Sequence, residues 1–472
     1  MNAVDTLLSQ DLGPGKPLRV LAASGQLGYG IPIPAFRAGM ERQPHFVGCD
    51  MGSIDVGPYY LGSGKLATSD IITRRDLKLV LQGARAHNVP LLLGTAGTSG
   101  AAPHLARTLD MIRDIAREER LNFRMAVIHA DVPRDLIKRM NAAGRIRALG
   151  NIPPVDDRTI DAAAHIVGQM GNEAFMRALA LRPDIIIAGR ACDTAVFAAA
   201  PIMLGYDPGL SVHMAKIIEC TSICCVPGGR DAILGTLEGN GFTLESMNPE
   251  RAATPMSVAA HSLYEQADPL LVHEPEGVLD VSDARFEALD PRRTRVSGAR
   301  WTPATQPTIK IEGAEWVAER AVLCAGSCDP RVIANLPAIE AGVRKNVDGI
   351  LAGSASGYQI KFHVYGTGAT QLFPGAALPT PGEIFFLVEC LAPDADTAKA
   401  VAGVTKQYLL HHGFPGRLST GGNIAFPFTP PELLGGTSYR YSLYHVIDCD
   451  DLAAVFPIEI EDVRGDVSVA TA

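Results

Sequence analysis

Short, nearly unbroken apolar runs alternate with longer stretches of helical period through the first half of the chain. Residues 18–24 (Leu-Arg-Val-Leu-Ala-Ala-Ser), 45–50, 90–95, 123–129 and 183–188 are the apolar runs. Each is too short for a buried helix and is bounded by Gly, Pro or polar residues, so each reads as a strand buried on both faces. Between them, 75–87, a long stretch ending near 120, 133–142, 160–181 and 193–204 repeat their apolar positions at helical spacing. This rhythm predicts an α/β fold of Rossmann-like class, a parallel sheet covered by helices. From about residue 241 the rhythm breaks. Residues 278–296 alternate apolar positions with Asp and Arg, as antiparallel or irregular structure would. Residues 316–324, 358–365, 383–390 and 441–446 read as strands, with helices over 330–343 and 394–411. The pattern divides the chain into an α/β substrate-binding core (1–240), its continuation (241–345) and a smaller α+β C-terminal domain (346–472) whose tail frays from 462.

Composition narrows the class. The chain has 472 residues, 47% apolar and 20% charged, ample for a large buried core. A net charge of −9 with no Lys/Arg cluster argues against a nucleic-acid partner. No apolar run reaches the roughly 18 residues of a membrane span. Residues 1–17 lack the layout of a signal peptide, so a cytoplasmic protein is expected. Nine cysteines, odd in number and scattered, read as buried free thiols. Neither Cys220-x3-Cys224-Cys225 nor Cys324-x3-Cys328 has zinc-ligand spacing beside a histidine pair.

Candidate chemistry collects where strands end and helices begin, the place at which α/β sheets bind ligands. Arg190, in Gly189-Arg190-Ala191-Cys192-Asp193, follows the fifth apolar run, and its planar fork suits a carboxylate or phosphate. Asp193 follows as helix cap or proton carrier. Ser24 and Gly25 open a glycine-rich turn whose spacing misses the dinucleotide pattern but whose amides suit an anion. Asp50 ends the second run. Gly97, Thr98 and Ser99 form a hydroxyl-rich turn after the third. His129 and Asp131 end the fourth and read as structural. Glu219 and Cys220 place a carboxylate beside a thiol. No G-x-S-x-G, Walker or H-E-x-x-H motif occurs, which removes the commonest hydrolase, NTPase and zinc-protease classes. No metal-ligand set and no cofactor motif is identified; a divalent metal among the carboxylates, or CoA, stays open.

With Gly189-Arg190-x-x-Asp193-x-Ala195, Glu219-Cys220 and Gly97-Thr98-Ser99, the chain resembles the acyclic terpene utilisation family. The segments 257–265, 277–286 and 296–301 are similar too, so the resemblance spans roughly 18–345. Its first turn lacks the Gly-Asp-Arg of many relatives. The C-terminal portion does not match the ferredoxin-like appendage of longer relatives, so a separate small partner subunit stays open beside a homo-oligomer. The resemblance implies catabolism of branched carboxylates or their CoA thioesters. Together these features predict a lyase of hydratase/dehydratase type. Arg190 would anchor a substrate carboxylate, Ser24, Gly25, Gly97, Thr98 and Ser99 would complete an anion cradle, and Asp193, Asp50 or Glu219 would move the proton. The rivals are a CoA-dependent transferase or hydrolase with a Glu219 or Cys220 nucleophile, and a non-catalytic subunit that binds a CoA ester.

Overall fold

A computed structural model describes residues 1–370 and 378–465. The chain forms two compact units, one of Met1–Glu315 with the described residues from Tyr441 onward, the other of Trp316–Arg440. The boundary expected at 345/346 lies inside a helix, Leu336–Leu351.

The first unit is built on a ten-stranded mixed sheet. Its centre is five parallel strands, in spatial order Leu18–Ser24, Phe46–Asp50, Leu91–Gly94, Ile185–Ala188 and Phe123–Ile128. Successive residues of these strands alternate between two apolar clusters. Val20, Ala22, Leu92, Ile186 and Ala126 belong to one, and Leu21, Ala23, Leu91, Leu93, Ile185, Ile187 and Val127 to the other. The period of two drives one set of side chains to each face, and both faces are covered, which is why the strands read as unbroken apolar runs. Helices Asp70–His87 and Ala102–Glu119 pack on the second cluster, and Asn172–Ala180, Ala195–Met203 and Pro208–Ile218 on the first.

Antiparallel strands extend both sides. Ile233–Glu238 pairs with Leu18–Ser24, and beyond it lie Gly241–Ser246, Arg293–Ser297 and Arg285–Ala288. At the other edge Ile458–Val463 pairs with Phe123–Ile128 in a register that runs to Val463 opposite Phe123. The fraying expected from 462 therefore starts no earlier than 464, and residues 466–472 lie outside the described residues. Leu271–Glu274, Gly277–Asp280 and Arg300–Pro303 form a separate three-stranded sheet.

The helix expected over 160–181 is interrupted in its middle, with Asp157–Ala162 and Asn172–Ala180 helical on either side. Ala163–Gln169 is a strand paired antiparallel with Thr308–Ser327, from Lys310 opposite Gln169 to Glu315 opposite Ala163. The reason is local. Ile166 and Val167 are β-branched, and Gly168 fits where a Cβ would meet Ile309 and Val132 at 3.0 Å. This pairing delivers Lys310 and Glu312 to the site described below.

In the second unit, Thr308–Ser327 pairs with Ile384–Ala392 from Glu319 onward, and Gln359–Tyr365 pairs on the far side of Ile384–Ala392. Helices Leu336–Leu351 and Ala395–His411 pack on this sheet through Val343, Val347, Phe386, Val388 and Val401. Among the described residues no helix is long and apolar enough to cross a membrane. The nine cysteines are free thiols; six are buried, whereas Cys220 and Cys324 are half-buried and Cys328 is exposed, against the expectation that all would be buried.

Candidate active site

Four parallel strands bring their C-terminal ends to one edge of the sheet, carrying Ser24, Asp50, the 95–100 turn and Arg190. Glycines set how closely these ends approach. A Cβ on Gly25 would collide with the Glu219 carbonyl oxygen, so the bare backbone lets the first strand abut the end of helix Pro208–Ile218. Gly100, at φ +69°, lies directly against the Gly189–Arg190 backbone.

The 95–100 turn braces rather than binds. Thr95 N and Ala96 N donate to the carbonyls of Gly189 and Ala188 at 3.0 and 2.9 Å. Thr98 Oγ1 accepts from Ala67 N at 2.9 Å, and Ser99 is fully buried. Gly97, Thr98 and Ser99 line neither of the two cavities at this edge. The glycine-rich turn is also committed internally. Gly28 N, Gly30 N and Ile31 N donate to the buried Asp76 carboxylate at 3.1, 2.9 and 2.9 Å, so the anion these amides suit is one of the chain's own.

The first cavity, about 240 Å³, is lined by Ser24, Gly25, Asp50 and Cys220, with Tyr29, Arg230 and Tyr264. The second, about 440 Å³, is lined by Arg190, Lys216, Glu219, Glu274 and Lys310. Ser53, Asp55, Asp193 and Glu265 line both, so the cavities adjoin, with Asp193 at the junction.

Arg190 is buried, 3% exposed, and its fork is taken. Nε donates to Glu312 Oε2 at 2.8 Å, Nη2 to Glu312 Oε1 at 3.4 Å and Nη1 to the Ala191 carbonyl at 3.0 Å. Lys310 Nζ lies 2.9 Å from the same Glu312 carboxylate. Burial alone would raise the Glu312 pKa, but Arg190 and Lys310 more than offset it and hold it below the usual range. Instead of the substrate anchor expected from the sequence, Arg190 is an internal cation whose Nη1 stands 3.7 Å from Asp193 Oδ1.

The remaining carboxylates are pushed the other way. Burial, then repulsion from Asp193, holds Asp50 well above the ordinary range. Burial raises Asp193 against the pull of Arg190, Lys216 and Lys310. Burial lifts Glu219 to about 8 although Lys216 is ion-paired to it, and Asp193 adds to the rise. Lys216 itself stays firmly protonated, because Glu219 and Asp193 outweigh its burial. Glu274, to which Thr194 Oγ1 donates at 2.8 Å, is raised by burial to about 7. Asp50 Oδ1 and Asp193 Oδ1 are buried and accept no hydrogen bond among the described residues. The Cys220 thiol is pushed up by burial and by Glu219, so it is neutral near neutral pH. No group of three or more His, Cys, Asp or Glu among the described residues is arranged to hold a metal ion.

Ser24, Gly25, Asp50, Arg190 and Asp193 thus gather at one edge, as their positions at or just after strand ends suggest, and Glu219 and Cys220 reach the same edge from the end of helix Pro208–Ile218. Lys216, Arg230, Glu274, Lys310 and Glu312 were not foreseen. Lys216 had a readable signal, three residues before Glu219 at the end of a helix. Glu312 had none, since it lies 122 residues beyond Arg190 on a strand of otherwise ordinary alternation.

Residues 75–229 and 239–428 match the family model described as "Acyclic terpene utilisation family protein AtuA". The match runs past 345 and starts beyond the strand ends that carry Ser24, Gly25 and Asp50. No curated protein and no solved structure matches the chain.

Proposed function

Because the chain belongs to the acyclic terpene utilisation family, we propose that it serves the breakdown of acyclic terpenes as a lyase of hydratase/dehydratase type, acting on a small branched carboxylate or its CoA thioester. One observation carries this reading. Five buried or cavity-lining carboxylates (Asp50, Asp193, Glu219, Glu274 and Glu312) face three cations (Arg190, Lys216 and Lys310). Full ionisation would leave excess negative charge in an enclosed site, so the cluster keeps protons near neutral pH. Groups that hold and release protons near the working pH are what addition of water across a conjugated double bond requires.

In the hydration direction a protonated carboxyl gives its proton to the α-carbon while a carboxylate takes one from the water whose oxygen bonds to the β-carbon. The C=C π bond and one O–H bond break, and one C–H and one C–O bond form. Asp193, at the junction of the cavities, is the group we assign to the carbon. Glu219, lifted to about 8, is the group we assign to the water. Arg190 acts as a positioning residue for Asp193. A nucleophilic Cys220 fits poorly with a thiol held neutral by burial. The test is loss of enoate absorbance in the wild type, Asp193→Asn and Glu219→Gln. Removing a general acid or base lowers turnover by about 10²–10⁴. Wild-type rates in both variants would refute the assignment.

A further inference from the structure

The geometry points to Arg230 as the residue that grips the substrate's anionic end, and to that end being the free carboxylate of a short aliphatic acid seated in the first cavity. This rests on the proposal that the site acts on a carboxylate.

The first support is what the other cations already do. Of the lysines and arginines that line the two cavities, Arg190 and Lys310 share Glu312, and Lys216 is paired with Glu219. A substrate carboxylate approaching any of them would compete with a buried internal anion at short range. Arg230 differs. It is exposed, lines the first cavity, and has no ion pair among the described residues. Its guanidinium lies over the Tyr29 ring, 5.4 Å from the guanidinium carbon to the ring centroid. A guanidinium lying over an aromatic face keeps its N–H edges free, and those edges hold a carboxylate bidentately.

The surroundings fix what is attached to the carboxylate. Tyr29, Ile223 and Tyr264 line the same cavity with 46–48% of their surface exposed, an apolar lining beside the cation. Asp55 and Glu265 line both cavities, so they stand at the junction on the side of Asp193. An anion is repelled there, which orients the carboxylate toward Arg230 and the uncharged carbon chain toward Asp193. The size agrees. About 240 Å³ falls below the roughly 300–1,000 Å³ of sites for drug-sized ligands, so the first cavity takes a short acid whole.

The experiment is calorimetric titration of the full chain with 3-methylbut-2-enoate and with geranate, each against its primary amide, and with coenzyme A as a separate arm. It compares the wild type, Arg230→Met, Arg230→Lys and Asp193→Asn. Arg230 is exposed, so its variants fold. Acid binding should weaken about 10- to 100-fold in Arg230→Met and less in Arg230→Lys. Amide binding should be unchanged by either, and Asp193→Asn should bind acid no worse than wild type. Equal acid affinity in wild type and Arg230→Met overturns the assignment. So does an equal loss for acid and amide, or binding of neither acid by the wild type at millimolar concentration. Arg230-dependent binding of coenzyme A with no dependence for the acids overturns the free-acid assignment. Enoate hydration is followed in parallel. Arg230-dependent binding without turnover refutes the lyase proposal alone, and turnover with binding indifferent to Arg230 refutes this assignment alone.

Discussion

Replacing Glu312 by Gln probes the centre of the buried charge network. Glu312 is fully buried between Arg190 and Lys310, and its carboxylate holds both. The amide keeps the shape and one acceptor but removes the charge that Arg190 and Lys310 share. Breaking a buried pair by removing one partner costs about 3–5 kcal/mol. Lys310, with a quarter of its side chain exposed, can turn toward water, and the Gln oxygen still accepts one hydrogen bond, so the lower end, about 3 kcal/mol, applies. Trp301 and Trp316 are the chain's two tryptophans. In a Trp316→Phe background Trp301 fluorescence reports unfolding of the larger unit by urea. The folded-state pKa of Glu312 is depressed, so its stabilisation is complete above its ordinary value near 4.5 and is lost as pH falls through the lower folded value. The gap between the two proteins should therefore be full at pH 7 and close in acid. Arg190, released from Glu312, should draw closer to Asp193 and lower the Asp193 pKa. A difference below about 0.5 kcal/mol at pH 7, the scatter of surface substitutions, would refute the claim that Glu312 is the network's centre.

Glu219, at about 8 and assigned to take the water's proton, predicts that enoate hydration rises as pH rises through about 8, with that limb absent from the residual activity of Glu219→Gln in a pH–rate profile. Cys220→Ser should keep most activity, since the thiol is neutral in the wild type, and intact-mass spectrometry during turnover should show no adduct on Cys220. Gly25→Ala should destabilise the larger unit by about 1–3 kcal/mol in urea titration, because its methyl drives the first strand from the Glu219 carbonyl; unchanged stability would mean that the two backbones part without strain.

The central strands were readable because burial on both faces leaves a plain mark, runs such as Leu91-Leu92-Leu93 and Ile185-Ile186-Ile187 closed by small residues. Residues 163–169 were misread because Ala163 and Ala164 continue the helical spacing of Asp157–Ala162, and only pairing with a strand some 145 residues later decides the matter. The strand-end rule placed Asp50, Arg190 and Asp193 at one edge, and Glu219 joins them from the end of a helix. What it missed was which charges cancel. Arg190 looked free because Glu312 is distant in the chain, and the glycine-rich turn looked like an anion site because Asp76 is far from it in sequence.

The position of Ile185–Ala188 bears on how the chain assembles as it is synthesised. This strand is made last of the five parallel ones yet lies between Leu91–Gly94 and Phe123–Ile128. A nascent chain that zipped those two older strands together would fill the slot with the wrong neighbour and would have to open again. Ile458–Val463, which shields the outer side of Phe123–Ile128, is made later still. Until then that backbone edge stands bare, the kind of template on which other chains pair. Residues 316–440, by contrast, are contiguous in sequence and all present before the larger unit can close. The larger unit thus closes only after residues 316–440 have been made, and slow translation or chaperone shielding of its open sheet should raise the yield of native protein more than any change within residues 316–440.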